Sequence, residues 1–90
     1  MPTICSFYGI LIRMFFNDHA PPHFHARYSE FEATIDITSM VVIEGGLPSR
    51  ALVLVRDWAA LHRAELMENW RLCREKVQPA KIEQIGRAHV

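Results

Sequence analysis

The chain has 90 residues, of which 50% are hydrophobic and 22% are charged. This length suits one domain, and this composition excludes an intrinsically disordered or low-complexity chain. Ten Lys and Arg balance ten Asp and Glu, whereas a protein that binds nucleic acid mainly through phosphates is usually strongly basic. Because Arg13 and Asp18 interrupt the apolar start, no membrane span or signal peptide is predicted, and we expect a cytoplasmic protein.

The first half of the chain is predicted to form an antiparallel meander of four to five strands. Its segments are rich in β-branched and aromatic residues and are separated by turn or loop signals at Tyr8-Gly9, Pro21-Pro22 and Ser29-Glu30. Alternation places Ile10, Ile12, Met14 and Phe16 on the core face, together with Phe31, Ala33, Ile35 and Ile37. The predicted strands are Ile4 to Phe7, Ile10 to Phe16, His23 to Tyr28, Phe31 to Ile37 and Met40 to Glu44.

The second half is predicted to form one long helix from Ser49 to about Glu75, packed on the apolar face of the sheet, which gives an α+β fold. Such a helix would be about 40 Å long, about twice the length of a six-residue strand. Its distal half, with Leu66, Met67 and Trp70, must therefore overhang, bend back or meet another chain. These three residues are candidates for partner binding; the alternative is that residues 77–82 or a following segment cover them.

The Ser29-Glu30 turn predicts the register of the hairpin around it. A two-residue turn there places His23 opposite Asp36, and likewise His25 opposite Thr34 and Arg27 opposite Glu32, all on the face away from the helix. Arg13 lies on a neighbouring strand. A one-residue slip would drive these polar side chains into the core, so the register is expected to be firm.

The histidines of this face allow three interpretations. In the first, they are only hydrogen-bonded to Asp36 and Thr34 on a half-exposed surface. In the second, His23 and His25 form a metal-free acid and base pair, assisted by Asp36, Arg13 and Arg27. In the third, which spacing alone does not favour, His19, His23 and His25 bind a metal ion. No cofactor is predicted.

The last six residues, Ile-Gly-Arg-Ala-His-Val, are what the start of a common sequencing adapter encodes in one reading frame. We therefore expect residues 1–84 to form a single α+β domain and residues 85–90 to be a non-native, adapter-derived tail.

Two groups of motifs resemble a known family. Phe-Tyr-Gly-Ile at 7–10 is followed by Phe-Asn-Asp-His at 16–19 and Pro-Pro-His-Phe-His at 21–25; Trp-Ala-Ala-Leu-His-Arg-Ala-Glu-Leu occupies 58–66. Together they resemble the prokaryotic domain of unknown function numbered four-one-six-zero, over nearly the whole chain up to about Ile82. The resemblance implies a small bacterial protein encoded beside a second small gene, as in toxin and antitoxin pairs.

The leading functional hypothesis is therefore the toxin component of a bacterial toxin-antitoxin module, which acts through its histidine-containing sheet face and binds a small antitoxin-like protein. One alternative is a small nuclease that acts on RNA with His23 and His25 as acid and base. Another is a non-catalytic binding or regulatory module. Whether the protein is an enzyme stays open at this point, and binding of nucleic acid is possible.

Overall fold

The structure, a computed structural model, describes residues 2–84; the predicted tail at 85–90 lies outside the described residues. Within that range a five-stranded antiparallel sheet precedes two helices, so the α+β class is confirmed. The strands lie side by side in chain order, which makes the sheet a meander. The elements are β1 (Thr3–Phe7), β2 (Ile10–Arg13), β3 (His23–Tyr28), β4 (Phe31–Asp36), β5 (Val42–Gly45), α1 (Ser49–Leu61) and α2 (Arg63–Arg74).

The hairpin of β3 and β4 has the predicted register. Its pairs run from His23 opposite Asp36 to Tyr28 opposite Phe31 without a shift. Ser29, in the turn, has a positive φ of 55°, a conformation that lets two residues connect the strands. Because this hairpin lies in the middle of the sheet, its register fixes where the histidines of β3 lie.

The core lies on the face of the sheet that α1 covers. Two of the residues predicted to face it, Phe16 and Phe31, are instead 40% and 42% exposed. Phe16 lies beyond the end of β2, where alternation no longer determines its direction, and Phe31 begins β4 directly after the turn, at the margin of the sheet. The other six predicted core positions are buried: Ile10, Ile12, Met14, Ala33, Ile35 and Ile37.

The prediction of one long helix is wrong. α1 ends at Leu61, α2 begins at Arg63, and His62 separates them with a non-helical φ of −121°. No Gly or Pro occurs between residues 49 and 75, so the local sequence contains no helix-breaking signal. Beyond the interruption, α2 packs Trp70 against His23 and bonds Asn69 to Ala80, which are contacts with distant parts of the chain. Neither helix of the described range has the length and apolar character that crossing a membrane requires.

The turn of the chain at His62 buries most of the predicted partner surface. Leu66 is fully buried and Trp70 is only 6% exposed, whereas Met67 keeps 39% of its surface. Of the three alternatives for the distal half of the helix, the chain therefore follows the one in which it bends back. In this conformation Leu66 and Trp70 belong to the core of the chain, and Met67 alone of the three presents a substantial exposed surface.

The segment after α2 runs back to the edge of the sheet, as the alternative interpretation anticipated. The backbone N–H of Ile82 donates to the carbonyl oxygen of Ile4 at 2.8 Å. Asn69, buried in α2, donates to the carbonyl oxygen of Ala80 at 2.8 Å and accepts from its N–H at 2.9 Å. These bonds hold residues 80–82 between α2 and β1, where they cover the distal helix.

Candidate functional site

A polar cluster of Asp18, His23 and His25 lies where the loop between β2 and β3 returns to the sheet. The loop brings Asp18 over the first residues of β3, and strand alternation places His23 and His25 on the same face. The side chains are 14%, 7% and 14% exposed, in that order. The cluster is thus partly closed to solvent, although all three residues are polar.

His23 is held at both ring nitrogens. Its Nδ1 atom lies 2.6 Å from the carbonyl oxygen of Pro21, and its Nε2 atom lies 2.8 Å from Oδ2 of Asp18. A carbonyl and a carboxylate both accept hydrogen bonds, so the doubly protonated imidazolium form would satisfy both contacts. If Nδ1 carried the only proton, the lone pair of Nε2 would face a carboxylate oxygen at 2.8 Å, an unfavourable contact of two acceptors unless a cation lies between them. In either form the ring has a fixed orientation.

His25 has a different environment. Its Nδ1 atom lies 3.3 Å from Oγ1 of Thr34, its predicted cross-strand neighbour, and 3.8 Å from Oε2 of Glu32. Its Nε2 atom is buried and makes no hydrogen bond within the described residues, although Oδ2 of Asp18 lies 3.5 Å away. Burial lowers the pKa of His25 more than the contact with Asp18 raises it. The neutral imidazole is therefore the favoured form at neutral pH.

Asp18 is the centre of the cluster because one oxygen, Oδ2, faces both imidazoles. Its other oxygen, Oδ1, accepts a hydrogen bond of 2.9 Å from the backbone N–H of His19. Burial raises the pKa of Asp18, but the hydrogen bonds from His19 and His23 outweigh this effect and leave the pKa below its ordinary value. Asp18 is therefore a carboxylate at neutral pH, and it supplies the negative charge of the site.

Aromatic rings enclose the two histidines. The ring of Phe15 lies 4.2 Å from that of His25, and the ring of Trp70 lies 5.0 Å from that of His23, measured between centroids. Trp70 comes from α2, so the break at His62 is what brings this ring to the cluster. These contacts restrict the rotation of both imidazoles and reduce the access of water to them.

The other predicted site residues occupy different places around the cluster. Arg13 pairs directly with His25 across β2 and β3, so its prediction as a neighbour is confirmed. Arg27 lies further along β3, where its Nε donates to the carbonyl oxygen of Ser29 at 3.2 Å. Arg27 is exposed, and its strand position is two residues beyond His25.

Asp36 is the cross-strand neighbour of His23, as predicted, but its carboxylate has another role. Its Oδ1 atom accepts hydrogen bonds from the backbone N–H groups of Thr38 and Ser39, at 2.8 and 2.9 Å. The carboxylate that contacts His23 is that of Asp18. The prediction that Asp36 is the acidic partner of His23 is therefore corrected. Strand pairing fixes the positions of the two Cα atoms, but the carboxylate of Asp36 accepts hydrogen bonds from the backbone of the turn after β4.

The set of residues that could bind a metal also differs from the predicted one. Ligand atoms of Asp18, His23 and His25 lie within 4.8 Å of one another. The side chain of His19 is 93% exposed, and its Nδ1 atom lies 3.3 Å from Oδ1 of Asp18, the oxygen that faces away from the two other histidines. Sequence reasoning missed Asp18 as a ligand because only the folded loop brings it to β3. The usable signal was its position, five residues before His23 in a loop with two prolines.

One comparison with known proteins identifies the family of this chain. The model of a family described as Domain of unknown function (DUF4160) matches residues 9–71, a range that contains the whole polar cluster and Trp70. No curated protein and no solved structure shows a significant match. Because the family model covers more than half of the chain, the resemblance noted in the sequence is confirmed, and the protein belongs to the DUF4160 family.

Proposed function

We propose that this protein is the toxin component of a bacterial two-gene module and that the cluster of Asp18, His23 and His25 is its working site. The family resemblance supports the two-gene setting. The observation that carries the assignment of the site is the convergence of two imidazoles on one carboxylate oxygen, at 2.8 and 3.5 Å, in a partly buried position.

This convergence is costly for stability, which supports a functional reason for it. Partly buried ionisable groups lose hydration, and replacing such a group by apolar side chains of similar volume is often neutral or stabilising. A chain of 90 residues has a small core and little stability to spare. Clusters of ionisable groups with shifted pKa values, as Asp18 and His25 have, are characteristic of functional sites.

The reaction we propose is cleavage of RNA at a phosphodiester bond. Such a reaction needs groups that move protons or activate water, and a positive charge that neutralises the scissile phosphate. In this proposal the cluster would provide the first, and Arg13, the strand neighbour of His25, would provide the second. The balanced net charge of the chain predicts weak binding of RNA through few phosphate contacts, so contact with the substrate would be local to this site.

Expression in a bacterial host tests the toxin assignment. The complete gene is expressed alone and together with its neighbouring gene, and growth and co-purification are measured. We expect growth arrest with the single gene, rescue by the neighbour and a stable complex of the two products. His25→Gln should abolish the arrest, whereas His19→Ala, which removes a 93% exposed imidazole but keeps the backbone N–H that donates to Asp18, should preserve it. Unchanged growth in every case, with no complex, would refute the proposal.

A second measurement tests the reaction. Purified protein is incubated with RNA, and the wild type is compared with the His25→Gln and His19→Ala variants. Cleavage by the wild type and by His19→Ala, but not by His25→Gln, is the expected result. Equal cleavage by all three proteins would show that a contaminating nuclease or another site is responsible.

One observation favours the alternative of a non-catalytic binding module. Nε2 of His25 is buried, and both ring nitrogens of His23 are engaged, so a large substrate has no direct access to them in this conformation. If this alternative is correct, the protein will form a complex with the neighbouring gene product while RNA stays intact. The two experiments above separate the alternatives without further variants.

A further inference from the structure

Three potential ligand atoms surround one point in the polar cluster. Oδ2 of Asp18 lies 2.8 Å from Nε2 of His23 and 3.5 Å from Nε2 of His25, and all three atoms lie within 4.8 Å of one another. Ligands about 2.0 to 2.1 Å from a tetrahedral Zn²⁺ are about 3.3 Å apart. The two contacts with Asp18 bracket this separation, and rotation of the imidazoles toward each other would bring the two histidine nitrogens to it as well.

We propose that Asp18, His23 and His25 form a binding site for a divalent transition-metal ion, with Oδ2 of Asp18 and the Nε2 atoms of both histidines as ligands. This set differs from the one that sequence spacing suggested, because Asp18 replaces the exposed His19. The proposal goes beyond the toxin assignment. Binding of the ion does not depend on that assignment, and only a catalytic use of the ion rests on the proposed function.

The outer contacts of both histidines support the choice of Nε2 as the ligand atom. Metal-binding histidines usually use their other ring nitrogen for a hydrogen bond that fixes the ring. Nδ1 of His23 is held by the carbonyl oxygen of Pro21 at 2.6 Å, and Nδ1 of His25 contacts Oγ1 of Thr34 at 3.3 Å. When an ion displaces the proton between Nε2 of His23 and Asp18, and each Nδ1 keeps its proton, both Nε2 lone pairs are directed into the cluster.

The unpartnered Nε2 atom of His25 is a second, independent indication of a ligand. Its Nε2 atom is buried without making a hydrogen bond within the described residues. Buried polar atoms almost always have a partner, and a buried one without a partner costs free energy. An ion between His25 and Asp18 would satisfy this atom and the carboxylate together.

The chemistry of the ligands selects the class of ion. Imidazole nitrogen suits Zn²⁺, Fe²⁺, Co²⁺ and Ni²⁺, whereas Ca²⁺ and Mg²⁺ prefer sites made of oxygen atoms. Two histidines and one carboxylate leave at least one coordination position for water, which is the pattern of catalytic rather than structural sites. Under the proposed function, a bound ion would lower the pKa of that water and so supply a nucleophile for hydrolysis.

Direct measurement of metal binding tests the proposal without using activity. The protein, free of any histidine tag, is treated with a chelator, dialysed and titrated with Zn²⁺ against a chromophoric competitor. We expect one Zn²⁺ per chain. Titration with Co²⁺ should produce visible absorption bands, which report nitrogen and oxygen ligands directly. If the wild type binds no Zn²⁺, a proton between Asp18 and His23 holds the cluster together, and the proposal is wrong.

Matched variants test which side chains bind the ion. Asp18→Asn and His25→Gln should each weaken Zn²⁺ binding by at least about 100-fold, and Thr34→Val, an outer contact, by about 10-fold. His19→Ala should retain the affinity of the wild type. Circular dichroism of each variant checks that it is folded, and His25→Gln carries the test if Asp18→Asn unfolds. Undiminished binding in both ligand variants, or an equal loss in His19→Ala, would overturn the assignment.

The result also separates this proposal from the toxin assignment. Zn²⁺ binding without growth arrest or RNA cleavage would confirm the metal site and contradict the proposed function. Growth arrest by a protein that binds no metal ion would support the toxin assignment and refute the metal site.

Discussion

Nε2 of His23 and Oδ2 of Asp18, 2.8 Å apart and largely buried, connect the loop between β2 and β3 to the start of β3. Removing the carboxylate leaves the buried Nε2 of His23 without its hydrogen-bond partner. We therefore expect Asp18→Ala to lower the free energy of unfolding by about 2 to 3 kcal/mol. Asp18→Asn keeps an acceptor in place and should cost about 1 kcal/mol. Urea unfolding measures the stability of the wild type and of both variants. If all three proteins have the same free energy of unfolding, the contact contributes nothing to stability.

Trp70 is expected to stabilise the fold rather than to contact a partner protein. It is 6% exposed and packs on His23, so Trp70→Ala should lower the free energy of unfolding by about 3 to 5 kcal/mol. The control is Met67→Ala in the same helix, which should cost less than about 1 kcal/mol because Met67 is 39% exposed. Thermal unfolding measures both. A fully stable Trp70→Ala variant that fails to capture the neighbouring gene product would restore the partner-binding interpretation.

Gly45 occupies a position that tolerates no side chain. Its φ is 72°, and an added Cβ would lie 2.1 Å from the carbonyl oxygen of Glu32. Because both the backbone conformation and the close approach oppose it, Gly45→Ala should cost about 3 kcal/mol of unfolding free energy. The adjacent Gly46 has open space at the Cβ position. Gly46→Ala is therefore the matched control, and chemical denaturation should find it close to the wild type.

Asp36 should make the stability depend on pH below about pH 4. The hydrogen bond from the backbone N–H of Ser39 is the main cause that lowers its pKa in the folded state, with a further contribution from Thr38. Its carboxylate therefore stabilises the fold above the unfolded-state pKa of about 3.9, and this stabilisation is lost as the pH falls through the folded-state value.

The test compares the wild type with Asp36→Asn by urea unfolding. Near pH 7 the wild type should be more stable, and near about pH 3 the difference should shrink, because protonated Asp resembles Asn. A difference that stays constant with pH would mean that the charge of Asp36 is not involved.

Strand pairing could be predicted from the sequence because it depends on local chemistry. Ser29-Glu30 sets a two-residue turn, and the apolar residues of β4 alternate with polar ones, so a slipped register would bury charges. His23 and His25 were therefore correctly placed on one face, with Arg13 beside them. These relationships involve neighbours in sequence or adjacent strands, for which turn geometry and side-chain period are sufficient.

The helix break and the composition of the cluster depended on the tertiary structure. Residues 49–75 contain no Gly or Pro, so the sequence did not indicate that the helix stops at His62 or that Trp70 lies against His23. Similarly, Asp18 meets His23 through the path of a loop. The alternation of side chains along a strand determines the face on which a strand residue lies. It gives no information about a loop residue or about contacts between distant elements, because these depend on the packing of the whole chain.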